Sequence, residues 1–437
     1  MTFFSLSPAL RLRIGVGFVN RFADSMITTF MAIYLALEYS VALAGVLMVA
    51  VVSLGVVGML IGGHVADSRG RRVTLLAGES AVVVTFVVMV FGESSLLASP
   101  LVVYLAYVVN KFAASLALPA HDSLIVDITT PEIRKQVYTV NFWAVNLALA
   151  TGAMLGAVLY DGRFVLMLVI AAVGSAGVVV STWLWIAETK PETVRTEAAK
   201  PPMREFVSGY RQVLRDRTFI QLMVAGTLTL AVEFQLINYV GVRLAADLPE
   251  QDLLSLGTWS VRVDGPEMLG VLRAENTILV VIMALFAPVL LRKVSDRIGL
   301  YLGTGLFIGG YMVLAVSNTG WLLMVAGFVF TVGELMSVPI KQTLLANLVP
   351  DHSRTRYMAV HNLNIRLAQL IAALCITVGS VLPSWGMAGL YAVFGLIIVW
   401  QYRLVLRTVT TAGIVNPAPA DISADAAEPT REPTEAR

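Results

Sequence analysis

The 437-residue sequence is poor in charge: Asp, Glu, Lys and Arg together make up only 14% of it. Soluble domains carry roughly 25%, so a globular enzyme with a single membrane anchor is excluded and a polytopic membrane protein is implied. There is one cysteine, Cys375, and therefore no intramolecular disulfide. A small side chain packed inside a span accounts for it. Four histidines occur, none at metal-ligand spacing, so neither metal catalysis nor a metal cofactor is expected. No G-x-x-x-x-G-K-[ST] run is present, which removes ATP as an energy source within this chain. Met1 to Leu10 lacks a basic start and precedes too long an apolar run for a cleavable signal. The net charge of +2 is too small to imply a nucleic-acid partner.

What the chain has instead is apolar length. A membrane span needs about 20 apolar residues, and twelve runs qualify: 12–37, 42–64, 73–93, 100–127, 138–160, 163–187, 218–245, 274–293, 301–318, 321–348, 356–381 and 385–408. A polar segment, 188–217, reads as a cytoplasmic linker between two halves, 1–187 and 218–410. The tail, 411–437, is rich in Ala, Pro, Glu and Thr and reads as disordered. The stretch 246–273 carries Asp247, Glu250, Asp252, Asp264 and Glu267 and reads as a long external loop. Most Lys and Arg residues fall on the side of the linker, which places that side and both termini in the cytoplasm of a multi-pass plasma-membrane protein.

Between the second and third runs lies Gly62-Gly63-His64-Val65-Ala66-Asp67-Ser68-Arg69-Gly70-Arg71-Arg72. It is short, glycine-rich and basic, which suits a tight cytoplasmic hairpin. Its pattern, G-x-x-x-D-x-x-G-R-R, resembles the loop 2–3 signature of the major facilitator superfamily. An echo follows in the second half at Asp296-Arg297-Ile298-Gly299, and Asp127 with Arg134 is mirrored by Asn347 with Arg354 at the same spacing. The resemblance implies an all-α fold of twelve transmembrane helices in two pseudo-symmetric six-helix halves, related as parallel repeats.

Charges inside apolar runs need a reason, because one at mid-bilayer costs at least about 2.5 kcal/mol. The first run holds Asn20, Arg21 and Asp24. Arg21 and Asp24 are three positions apart and share a helix face, so they read either as a self-neutralising pair or as a proton-titrating Asp24 beside a fixed cation. The fourth run holds Lys111, with His121 and Asp122 further along. The fifth holds Asn141, Phe142, Trp143 and Asn146, then Gly152 and Gly156, whose spacing suits close helix packing. The seventh holds Glu233, Gln235 and Asn238. The tenth holds Glu334, near mid-depth and with no basic residue within one turn of its own helix. The eleventh adds Asn362, Asn364, Arg366 and Gln369.

These stretches are similar to those of proton-coupled multidrug antiporters within the superfamily, notably Val126-Asp127 with Arg134-Lys135, Phe142 to Leu147, Tyr210 to Leu214, and Gly333-Glu334 followed by Pro339. The resemblance implies multidrug efflux, with a role in antibiotic resistance, of lipophilic, often cationic compounds by a monomer that uses protons as its only coupling agent. Glu334, Asp24 and Glu233 would couple protons. Glu334, Asn141, Phe142, Asn146, Gln235, Asn238, Arg21 and Lys111 would line the substrate cavity. Gly63, Asp67, Gly70, Arg71, Asp127 and Arg134 would form a conformational lock, with Arg71 on Asp127 and Asp67 on the start of the eleventh span. The chain departs from the pattern at Asn141 and Gln235, where such antiporters carry acids. Lys111 sits two positions, or about 200°, from where a fourth-span arginine would fall. A lipid or glycolipid flippase and a solute symporter are alternative readings of the same fold.

Overall fold

The computed structural model describes residues 6–130, 133–188, 211, 213–256, 259–290, 295–349 and 354–411. The linker, most of which is 189–210, and the tail, 412–437, lie outside them, as do Arg292 to Val294. In the first half α1 spans Pro8–Glu38, α2 Val41–Arg69, α3 Arg71–Glu93, α4 Pro100–Asp127 and α5 Arg134–Trp185. In the second half α6 spans Arg217–Glu233, a π-helical turn Leu236–Val240 and α7 Gly241–Asp247. After a β-hairpin come α8, Gly265–Leu290, α9, Asp296–Val316, α10, Gly320–Leu348, α11, Arg354–His361, α12, Leu363–Gly379, and α13, Ser384–Thr411.

Side-chain caps mark the helix starts. Ser7, Ser40, Asp216 and Ser295 each accept a hydrogen bond from the backbone N–H three residues on, satisfying a donor that the helix cannot. The 52 residues of α5 are two helices, not one. Asp161, Gly162 and Arg163 leave helical geometry, with Gly162 at φ 67°, where a residue without a Cβ is favoured. Gly152 rests on Phe22 and Ser25 of α1, and Gly174 faces Val19. Both arms thus run back along the same helix, and α5 contributes two antiparallel spans. Among the described residues eight helices are long and apolar enough to cross a membrane outright, and Leu363–Gly379 is a shorter apolar helix. Counting both arms of α5, and joining α6 to α7 and α11 to α12, the helices make twelve spans.

The structure corrects two readings. Residues 246–273 are not merely a loop: Gln251–Leu256 (β1) pairs antiparallel with Trp259–Val263 (β2). The hairpin is tied down by Gln251, which donates to Asn318 O at 2.9 Å and accepts from Gly320 N at 2.8 Å. The eighth span starts nine residues early, at Gly265. Asp264 and Glu267 form a reciprocal capping box, with N–H to carboxylate distances of 2.9 and 3.2 Å. The second D-x-x-G is also out of register with the first. Asp67 lies in the last turn of α2, before the Gly70 break at φ 113°, whereas Asp296 opens α9.

The halves meet at the end that bears the hairpin. There Thr377 Oγ1 donates to Ala42 O at 2.8 Å, Gly45 lies against Ala373 and Thr377, and Gly270 lies against Ala153 and Ala157. At the opposite end, where the stretch 62–72 expected as a hairpin is helical except for the break at Gly70, the described polar ties join helices of one half. Arg71 pairs with Asp127. Glu188 accepts from Arg71 N and Arg72 N at 3.1 and 3.0 Å, and so caps α3. Arg13 donates to Leu124 O, and Tyr357 OH donates to Asp216 at 2.9 Å.

Within the first half, α2 lies on α4 through a glycine face. A Cβ on Gly62 would collide with the Leu116 carbonyl, whereas one on Gly63 meets nothing within 4 Å. Gly62→Ala is therefore expected to destabilise the purified protein by about 1–3 kcal/mol through overpacking, and Gly63→Ala to leave stability unchanged or slightly raised. Thermal unfolding in detergent reads both; equal melting temperatures would mean that α2 and α4 are not in this contact.

Candidate functional site

A cavity of about 760 Å³ lies between the halves. That volume falls within the range of small-molecule sites, roughly 300–1,000 Å³. Its first-half wall is built on helical repeats. Gly17, Asn20, Arg21, Asp24 and Thr28 follow the i, i+3, i+4 spacing along α1, and Tyr107, Asn110, Lys111, Ala114, Leu118, His121 and Asp122 do so along α4. Glu79 of α3 joins them. The second-half wall is supplied where helices are interrupted: Phe234, Ile237 and Asn238 at the π-helical turn, and Asn362, Ile365, Arg366 and Gln369 where α11 gives way to α12. Asn238 has left helical geometry, at φ −109° and ψ −105°. Because α4 runs toward the loop 62–72, His121 and Asp122 carry the wall to within about 9 Å of that end.

The central polar contact is Lys111 with Asp24. The ammonium pairs with the Asp24 carboxylate, also reaches Thr28 Oγ1, and lies 5.3 Å from the centre of the Tyr107 ring. Asp24 thus takes its cation from another helix and not from Arg21, as the three-residue spacing had suggested. Arg21 has neither an ion pair nor a hydrogen bond among the described residues. Asn20 donates to Glu79 at 3.3 Å, while the second Glu79 carboxylate oxygen is buried without a hydrogen-bond partner.

Glu334 and Glu233 stand outside the wall of this cavity, in the second half. Asn276 Nδ2 donates to Glu334 at 3.2 Å and to Thr331 Oγ1 at 3.0 Å. Tyr311 OH donates to the Glu233 carbonyl at 3.0 Å. Glu233 also feels the charges of Glu334, Lys341 and Arg273. Glu334 is therefore less isolated than its own helix suggests, since Lys341 follows two turns on and α8 supplies Asn276.

Of the residues expected on the cavity wall, Arg21, Lys111 and Asn238 are there; Asn141, Phe142, Asn146, Gln235 and Glu334 are not. The first arm of α5 presents Gly152 and Gly156 to α1. Phe142 and Asn146 fall about 60° and 100° off the middle of that face. Phe142 is 49% exposed and not on the cavity wall, and Asn146 donates to the Phe142 carbonyl. Asn141, close to the packing face, is half-buried. Gln235 is fully buried on the far side of its helix, where Tyr391 OH donates to it at 3.3 Å. In the expected lock, Arg71 and Asp127 pair with each other, Gly63 is half-buried and Gly70 makes the turn. The side chains of Asp67, Arg134 and Arg354 lie outside the described residues.

Sequence reasoning missed Glu79, Arg273 and Glu275. Glu79 breaks an apolar run, as Asp24 does, and the same rule finds it. Arg273 was placed in the loop 246–273 because the Asp264–Glu267 capping signal was passed over, whereas Glu275 lies inside the expected eighth run, 274–293, where the rule that finds Glu79 also applies. Glu275 Oε2 is buried without a partner, against Gly327 of α10. Among the described residues no three His, Cys, Asp or Glu side chains are grouped to hold a metal ion.

The sequence pattern of the Major Facilitator Superfamily matches residues 14–373. The chain belongs to that superfamily. It is a multi-pass membrane transporter and not an enzyme. It is 27% identical over 414 residues to a Na(+), Li(+), K(+)/H(+) antiporter of Planococcus maritimus, covering 91% of this chain and 96% of that one. It is 25% identical over 320 residues to the multidrug resistance protein MdtH of Cronobacter sakazakii, covering 70% and 69%. Among solved structures, a POT family transporter in complex with 5-aminolevulinic acid matches with a TM-score of 0.73 at 16% identity, over 95% of this chain and 98% of that one. A D-xylose-proton symporter matches with a TM-score of 0.66 at 14% identity, over 91% and 96%. At such identities these two likenesses concern the fold alone.

The Lys111–Asp24 pair is open to measurement. Removing one partner of a fully buried pair costs about 3–5 kcal/mol. Here the cost should be smaller, because the Asp24 side chain is 46% exposed to the cavity. Asp24→Asn and Lys111→Met are each expected to lower thermal stability, and the double variant to recover part of the loss. Strict additivity in that cycle would mean that the two charges do not interact.

Proposed function

We propose that this chain is a proton-coupled antiporter that exports lipophilic, often cationic compounds by alternating access. The observation that carries the proposal is the cavity: it lies between two halves that touch at the hairpin end, with Asp24 on its wall and Glu233 and Glu334 in the adjoining second half. With the basic loop 62–72 in the cytoplasm, this is the inward-facing state of a monomer in the plasma membrane, with both termini cytoplasmic. Cargo enters from the cytoplasm into an apolar chamber with Met48, Val51, Phe86 and Phe234 on its wall. Protons taken up from outside by Asp24, Glu233 and Glu334 discharge the cargo and reset the halves. The Arg71–Asp127 pair and Asp67 steady the loop end in the opposite state. The stretches shared with the multidrug transporter LmrP, above all Gly333-Glu334 with Pro339, support this reading, as does the relation to MdtH.

A second reading is favoured by the relative from Planococcus maritimus: exchange of a monovalent metal cation for protons. In it the Glu334 carboxylate and the Thr331 hydroxyl, both bound by Asn276, would supply oxygen ligands to the ion.

Inverted membrane vesicles separate the two. Uptake of a cationic dye that needs an imposed proton gradient and stops with a protonophore supports drug export. Glu334→Gln is then expected to lower the rate at least tenfold, and undiminished uptake would remove Glu334 from the coupling. Collapse of the gradient on adding NaCl or KCl, with no dye movement, would support cation exchange.

A further inference from the structure

Three carboxylates lie on the cavity wall, and each already has a polar neighbour. Asp24 is held by Lys111, Glu79 by Asn20, and Asp122 lies 3.5 Å from the His121 ring. The cations are not matched in the same way. Arg21 occupies the middle of the α1 stripe that faces the cavity, between Asn20 and Asp24, and none of its N–H donors has a partner among the described residues. Arg366 occupies the corresponding place on the opposite wall, between Ile365 and Gln369. It gives one hydrogen bond to Gln369 Oε1 at 3.2 Å and makes a 3.4 Å contact with the Met59 sulfur, and no carboxylate meets it. A guanidinium carries five N–H donors and stays protonated at any biological pH. Two of them within the membrane, one on each half and both without a counter-charge, form an arrangement that an anion completes.

We propose that Arg21 and Arg366 form a two-sided clamp for an anionic group on the transported compound, so that the cargo is an anionic or zwitterionic amphiphile bearing a carboxylate or phosphate. The proposal rests on reading the cavity as the substrate site, and it narrows the often cationic cargo of that reading to compounds that also bear an anionic group. The forked guanidinium geometry suits both oxyanions, which accept two parallel N–H bonds. The placement also gives the clamp a part in the transport cycle. When the halves close over the cavity at the loop end, two like charges enter a smaller and drier space. An anion held between them turns that repulsion into a bridge, so a loaded carrier closes more readily than an empty one. Lipophilic cations lacking an anionic group would bind through the apolar wall alone.

The test uses the purified full-length protein and two dyes: a rhodamine with a free carboxylate, and its methyl ester. They share the ring system and its delocalised positive charge and differ in the anionic group. Binding is followed by fluorescence anisotropy, with long-chain alkyl phosphate as competitor to distinguish phosphate from carboxylate preference. The carboxylate dye is expected to bind about tenfold more tightly than the ester. Arg21→Gln and Arg366→Gln should each bring it down towards the affinity of the ester. Arg21→Lys and Arg366→Lys, which keep the charge and lose the fork, should fall between. Equal or tighter binding of the ester to the unaltered protein overturns the clamp, as does failure of both dyes to bind. Survival of the carboxylate preference in the double Gln variant overturns it too. Because binding is read without any gradient, loss of proton-driven uptake would count against antiport alone and leave this comparison standing.

Discussion

A charge in the hydrocarbon core must meet an opposite charge, a hydrogen-bonding partner or water, since lipid offers none of them. The interior of this transporter is arranged by that constraint. Lys111 reaches across from α4 to Asp24 of α1. Asn276 of α8 serves Glu334 of α10. Arg243, only 5% exposed, is spent on the carbonyls of Leu314 and Ser317 and on the side chain of Asn318, closing the end of α9. Among the described residues, Arg21 and Arg366 are the cavity-wall cations that meet no carboxylate. The cavity exists where the helices cannot satisfy one another, and its wall records which groups were left over.

The same division explains how the halves can move. Close helix approach depends on glycine within the first half, as between α2 and α4 or α5 and α1, and also across the halves at Gly45 and Gly270, while the Arg71–Asp127 pair and the Glu188 cap on α3 stay within the first half. The contacts that cross between halves are fewer in kind: small residues at the hairpin end, and Arg366 on Met59 deeper in. Halves whose small-residue contacts gather at one end can rock against each other about that end without giving up their internal packing. The irregular turns at Asn238 and Asn362 lie at the cavity, where freed backbone groups can find water.

Structures with the same fold include a POT family transporter in complex with 5-aminolevulinic acid and a D-xylose-proton symporter. Fold therefore carries no information on substrate. What distinguishes this chain is the set of charges on its cavity wall, and that set differs from the one expected by analogy with drug antiporters. Asn141 and Gln235 stand where such antiporters have acids, yet neither reaches this cavity. Glu79, absent from that expectation, is on its wall.

The sequence by itself determined the class, the number of spans, the basic loop at one end and most of the charged residues that matter. It could do so because apolar run length and a charge inside a run are one-dimensional signals. The start of α8 was also legible, in the Asp264–Glu267 capping box, though the acidic stretch before it reads as loop. Which charge meets which was decided only by the tertiary structure. Asp24 lies three residues from Arg21 and 87 from Lys111, and it pairs with the distant one. Gln235, two positions from Glu233, faces α13 because a helix turns about 200° over that distance. Rotation about each helix axis and the approach of neighbouring helices set these pairings, and both follow from packing across the whole bundle, not from spacing along any one span.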